Sequence, residues 1–77
     1  MGMDTEDEFM EIEMLNHNLD GLAIRDIQFP HDVLIISISR KGYRLVSHGY
    51  TWLEYGDHVT VVGSPYSLEE VEVKFEV

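Results

Sequence analysis

The chain contains no cysteine, which removes disulfide bridges and thiolate metal sites from consideration. Cations are scarce as well: five Lys and Arg stand against fifteen Asp and Glu, for a formal net charge of −10. Nucleic-acid affinity comes largely from neutralising phosphates, so this balance argues against nucleic acid as a partner. Anionic membrane surfaces are disfavoured for the same reason. Long apolar runs are also missing. The longest, Val33 to Ile36, is the size of a strand and far short of the ~20 residues a membrane helix requires.

What remains is enough for one small domain. The sequence has 77 residues, of which 44% are hydrophobic. A chain this short buries a modest fraction of its surface and usually needs a further source of stability. Without disulfides, pairing with a second copy is the ordinary route. Much of the negative charge sits at the two ends, in Asp4-Thr5-Glu6-Asp7-Glu8 and Glu69-Glu70-Val71-Glu72. The centre holds four of the five cations, Arg25, Arg40, Lys41 and Arg44. An anionic ligand would be met there.

Residues 1–8 have little to bury and read as a disordered acidic lead-in, leaving 9–77 as the folded domain. The opening Met1-Gly2 lacks the Ser or Thr at position six of a myristoylation signal, Glu6 standing there. It reads as an expression start, or as the beginning of a domain from a longer protein. From Phe9, apolar Met10, Ile12 and Met14 alternate with Glu11 and Glu13, predicting a strand. Asn16-His17-Asn18 suits a turn. Leu19, Leu22, Ala23 and Ile27 share one helical face, predicting a short helix over Leu19 to Ile27 with Asn18 or Asp20 as its cap. Pro30 ends it.

Val33 to Ser39 reads as a central strand, with Leu34, Ile36 and Ile38 on one aliphatic face and Val33, Ile35, Ser37 and Ser39 on the other. Lys41-Gly42 supplies a turn and Tyr43 to Val46 the hairpin partner. Thr51 to Leu53 is a short extended piece. Tyr55-Gly56-Asp57 is a second turn before the strand His58 to Val62. The tail is ambiguous. Ser67 with Glu70, and Leu68, Val71 and Phe75 on one face, favour a helix, whereas alternating Val71, Val73, Phe75 and Val77 favour a strand. The expected class is α+β, a small mainly antiparallel sheet with one or two short helices.

Enzyme signatures are missing. Ser37, Ser39 and Ser47 have no nucleophile elbow, and Asp57 in a Gly-Asp turn suits capping of backbone N–H groups. His17, His31, His48 and His58 form no i, i+4 pair for zinc, and the acidic stretch Asp4 to Glu8 lacks a calcium-loop pattern. No enzyme, metal or cofactor is expected. Arg40, at the end of the aliphatic strand, has two readings. Its guanidinium presents a planar fork to a phosphate or carboxylate above Leu34, Ile35 and Ile36, or it pairs with Asp57 or Asp32 and closes the strand end. At strand spacing Tyr50 and Trp52 share a face, one expected in the core and one at its rim, and with Tyr55 they suggest a contact surface rather than a catalytic pocket.

Four segments carry a resemblance: Ile38-Ser39-Arg40, Arg40-Lys41-Gly42, Thr51 to Asp57 as T-x-L-x-x-G-D, and Val59 to Gly63 as V-x-V-x-G. Their order resembles the TrkA C-terminal domain, the C-lobe of RCK modules, which regulate potassium channels, potassium uptake systems and cation antiporters. The resemblance implies a cytoplasmic α+β regulatory domain without catalysis, pairing as a homodimer and partnered by a membrane transporter or channel subunit. It places a short helix over Ser67 to about Val73. Some members bind a small anionic nucleotide, cyclic di-AMP, between the two copies, which makes Ile35, Ile36, Arg40 and His48 the candidate ligand residues. His48 is a departure, because the family commonly has Pro, a small polar residue and Gly where this chain has Ser47-His48-Gly49. The dinucleotide-binding lobe that precedes these domains is not in the sequence, so NAD or ATP binding is not implied. A ligand-free oligomerisation module and a barrel-like peptide-binding adaptor are the alternatives.

Overall fold

The computed structural model describes residues 6–76. Four strands form one antiparallel sheet: β1 (Glu8–Glu13), β2 (Leu34–Arg40), β3 (Tyr43–Val46) and β4 (His58–Gly63), in the order β1-β4-β2-β3. A single helix, α1 (Pro65–Glu76), packs on β1 and β4. The α+β class with a small antiparallel sheet is therefore as expected. Strand β1 opens at Glu8, the last residue of the lead-in expected from the sequence, while residues 1–5 lie outside the described residues.

Alternation decides the buried face. Ile12 on β1 and Val59 and Val61 on β4 point inward, joined by Ile38 and, partly buried, Met10, Ile35 and Leu45. The α1 residues Leu68, Val71 and Phe75 close the core from the other side and are fully buried. Their helical spacing prevails over the tail's alternation, since Val73 is 65% exposed.

The helix begins earlier and ends later than expected. Ser64 is its cap, its hydroxyl accepting from Ser67 N–H at 3.3 Å and its carbonyl from Leu68 N–H at 2.9 Å. Pro65 then occupies the first helical position, where the missing N–H costs nothing. Asp32 reinforces the start from another loop, accepting 2.7 Å from the Ser67 hydroxyl and 3.3 Å from Ser64 N–H. At the other end the Asn16 amide donates to Lys74 C=O at 2.8 Å, and Leu15 N–H to Phe75 C=O at 2.8 Å.

Three sequence expectations are corrected. Leu19 to Ile27 is not a helix but two 3₁₀ turns, His17–Leu19 and Ile24–Asp26. Between them the backbone pairs with the loop before β4. Gly21 N–H donates to Leu53 C=O at 2.7 Å, Leu53 N–H to Leu22 C=O at 2.9 Å, and Ile24 N–H to Thr51 C=O at 2.8 Å. Those groups are thereby withdrawn from an α-helical ladder. Secondly, β2 does not keep strict alternation. Ile35 pairs with Val61 and Ser37 with Thr60, so Ile36 is the extra residue of a bulge. Ile35 and Ile38 consequently face the core together, whereas Leu34 is 63% and Ile36 40% exposed. Finally, neither Tyr50 nor Trp52 enters the core, their exposures being 70% and 51%.

Candidate functional site

The short hairpin places Arg40 and Arg44 on either side of one turn. Lys41 and Gly42, both at positive φ (52° and 83°), close it in two residues, whose twist suits antiparallel strands. Arg40 thus ends β2 on the core side, and Arg44, paired with Ser39, stands on the opposite face of β3.

Arg40 is held by three neighbours. Its Nε donates to Asp57 Oδ1 and its Nη2 to Asp57 Oδ2, each at 2.9 Å, and Nη2 also donates to Trp52 C=O at 2.8 Å. Nη1 lies 3.4 Å from Glu54 Oε2. The hydrogen bonds that Arg40 donates to Asp57, chiefly, raise its pKa above the ordinary value. Of the two readings for this residue, the intramolecular pair with Asp57 is the one observed. Asp32 is not its partner.

The Gly-Asp turn explains the pair. Gly56 has φ of 92°, a region L residues rarely enter, and its N–H donates to Met14 C=O at 2.7 Å. That anchor turns Asp57 inward, where its side chain is 1% exposed. There Asp57 also accepts Glu54 N–H at 2.8 Å, so the carboxylate both braces the loop and neutralises Arg40.

Beside this pair lies a cleft of about 440 Å³, lined by Arg40, His48, Tyr50, Thr51 and Trp52 together with the β3 edge at Arg44, Leu45 and Val46. Its size is ordinary for a small-molecule site. The His48 Nδ1 accepts Tyr50 N–H at 3.2 Å, which leaves its Nε2 to donate outward. Arg25 lies 4.7 Å from the centre of the Tyr50 ring and Arg40 5.9 Å from that of Trp52. Glu54 accepts the indole N–H at 3.2 Å. Two aromatic rings are therefore exposed yet held in place.

Of the four sequence candidates, Arg40 and His48 line the cleft and Ile35 and Ile36 do not. Ile36 lies on the uncovered face of the sheet, and Ile35 packs toward the core. Arg44 was legible only as one of the central cations, and its register with Ser39 sets its side chain on the sheet face opposite Arg40. A larger groove of about 580 Å³ follows α1 and is lined by Tyr66, Glu69, Glu70, Val73 and Lys74. It is open and more apolar than polar, and no arginine lines it. Among the described residues no three His, Asp or Glu converge as a metal site requires. No helix there is long and apolar enough to cross a membrane.

The comparisons with known proteins come down on one family. The model of the TrkA-C domain matches residues 9–76. A solved structure described as an RCK domain with cda superposes with a TM-score of 0.84 at 32% identity, covering 88% of this chain and 97% of that one.

Proposed function

This chain belongs to the TrkA-C domain family, the C-lobe of RCK modules, and from that premise we propose that it is a cytosolic ligand-sensing domain of a potassium or other cation transporter or channel, acting as a homodimer. Domains of the family are regulatory parts of potassium-transport systems. The observation that carries the ligand-sensing part is the cleft, which sets the Arg40 guanidinium and the His48 imidazole beside two exposed rings in a chain of net charge −10. A small anionic nucleotide such as cyclic di-AMP suits that chemistry, and a similar RCK domain is described with cda.

The uncovered sheet face supports pairing. Phe9, Val62 and Leu34 lie in one lateral row across β1, β4 and β2, with Ile36 and Val46 close by. Monomers rarely leave so continuous an apolar surface in water. In a two-fold dimer through this face, Ile36 would meet the second copy, backed by Ile35 from the core side, while Arg40 and His48 would meet the ligand at the cleft. Ligand binding there favours one relative orientation of the copies, and a linker passes that bias to the membrane subunit.

A second reading, the ligand-free oligomerisation module, is favoured by the engagement of Arg40 with Asp57. Calorimetric titration with cyclic di-AMP and other nucleotides, alongside sedimentation, separates the two. Binding by a dimer is the expected result. A dimer that binds none of them sinks the sensor reading and leaves the module.

A further inference from the structure

The uncovered face of the sheet changes character along its strands. Its outward residues fall into lateral rows set by the pairing registers. The row at one end is apolar, with Phe9, Val62 and Leu34. The row at the other end is polar and runs Glu13, His58, Ser39 and Arg44 from β1 to β3. Charge is divided within that polar row, acid on the β1 side and cation on the β3 side. His58 leans toward the acid, its Nδ1 lying 3.8 Å from Glu11 Oε2. Glu13 and Arg44 are both exposed and, among the described residues, neither forms an ion pair. Three strand spacings, about 14 Å, separate them within one chain, beyond the ~8–10 Å over which exposed charges interact.

We propose that two copies pack sheet to sheet about a two-fold axis parallel to the strands, so that Glu13 of each copy pairs with the partner's Arg44. This rests on the pairing proposed above and fixes its orientation. A two-fold axis in the plane of such an interface runs either along the strands or across them. Along the strands, it keeps each row level with the same row of the second copy and exchanges the sides, laying β1 over the partner's β3. The apolar row then meets the apolar row, and acid meets cation twice, once at each side. Across the middle of the face, the axis instead reverses the rows. It would lay Glu13 and Arg44 against Phe9, Val62 and Leu34, burying charge without a partner. Aligned sheets pack about 10 Å apart, a gap that a Glu and an Arg side chain together can bridge. In a chain of net charge −10, a face that brings its own cation to the partner's acid also offsets part of the repulsion between copies.

Charge reversal tests the orientation, with the dimer constant read by sedimentation equilibrium and folding checked by circular dichroism. Glu13→Arg and Arg44→Glu each place like charges opposite one another twice per dimer. Each should weaken dimerisation by at least about tenfold. Glu13→Arg is the sharper of the two. It shifts the net charge by +2, from −10 to −8, so long-range repulsion alone would tighten the dimer where this contact loosens it. The double variant restores opposite charges and should return to within about threefold of wild type. Because the two residues are too far apart to interact within one chain, that recovery reports contact between copies. A wild-type protein that stays monomeric would overturn the pairing itself, and this orientation with it. A dimer that Leu34→Lys dissociates but neither reversal weakens keeps the face and overturns the orientation. Weakening by both reversals without recovery in the double variant would overturn the contact between Glu13 and the partner's Arg44.

Discussion

Arg40 and Asp57 meet as two planar forks, Nε to Oδ1 and Nη2 to Oδ2, with both contacts at 2.9 Å. The carboxylate is almost wholly buried and the guanidinium retains 17% of its exposure. Breaking such a pair from one side leaves a charge without compensation, which costs more than the pair is worth intact. Arg40→Ala should therefore destabilise the domain by about 3 kcal/mol, read as a lower urea midpoint with an unchanged slope. Arg40→Lys should recover only part, since an ammonium cannot copy the fork. A variant as stable as wild type would mean that Asp57 finds water or another donor.

Asp32 gives a pH-dependent prediction. The Ser67 hydroxyl, then the Ser64 contacts, lower its pKa below the ordinary 3.8. A carboxyl whose folded pKa is depressed adds stability above its unfolded value and loses it as pH falls through the folded one. The stability gap between wild type and Asp32→Ala should thus be full at pH 5 to 7 and narrow below about pH 4. Urea unfolding at several pH values checks this, and a gap constant down to pH 2 would show that the charge of Asp32 contributes nothing to the start of α1.

Gly63 closes β4 where the chain passes close to β2. A Cβ there would lie 3.0 Å from Asp32 C=O and 3.2 Å from the Val33 side chain. The backbone carbonyl cannot swing aside as a flexible side chain would. Gly63→Ala should consequently cost on the order of 1–3 kcal/mol, the range of overpacking. Thermal melting measures it, and an unchanged melting temperature would show that the Asp32 loop yields freely.

The legible parts of this fold were those governed by local chemistry. Lys41-Gly42 and Gly56-Asp57 announced their turns, and the alternation of Met10, Ile12 and Met14 announced the inward face of β1 and the loop after it. What stayed hidden depended on distant partners. The bulge at Ile36 is set by the register with β4, and it moved Ile36 to the face opposite the one simple alternation assigned to Ile38. The apolar spacing of Leu19 to Ile27 is compatible with a helix, but pairing with residues 49–53 took its backbone donors and acceptors. The sequence reading began α1 at Ser67, two residues late, because Ser64-Pro65 was not taken as the cap followed by proline that starts it. Arg40 was correctly placed at a strand end, with two readings left open that only the position of Asp57 could separate. The two rings acquired meaning only once β3 and the 48–52 loop bordered one cleft.

The apolar row on the uncovered face gives the last prediction. Phe9 and Leu34 are 72% and 63% exposed in the single chain, on either side of Val62. Substitutions at exposed positions ordinarily change monomer stability by no more than about 0.5 kcal/mol. At the centre of a dimer interface, the same change would instead bury an unpaired charge. Leu34→Lys should therefore separate the two effects. Wild type is expected to sediment as a dimer at tens of micromolar and to melt at a temperature that rises with protein concentration. Leu34→Lys should sediment as a monomer, keep its far-ultraviolet circular dichroism, and lose that concentration dependence. A Leu34→Lys protein that remains dimeric would move the interface off this face and onto an edge of the sheet, for which β3 is a candidate since among the described residues it pairs only with β2.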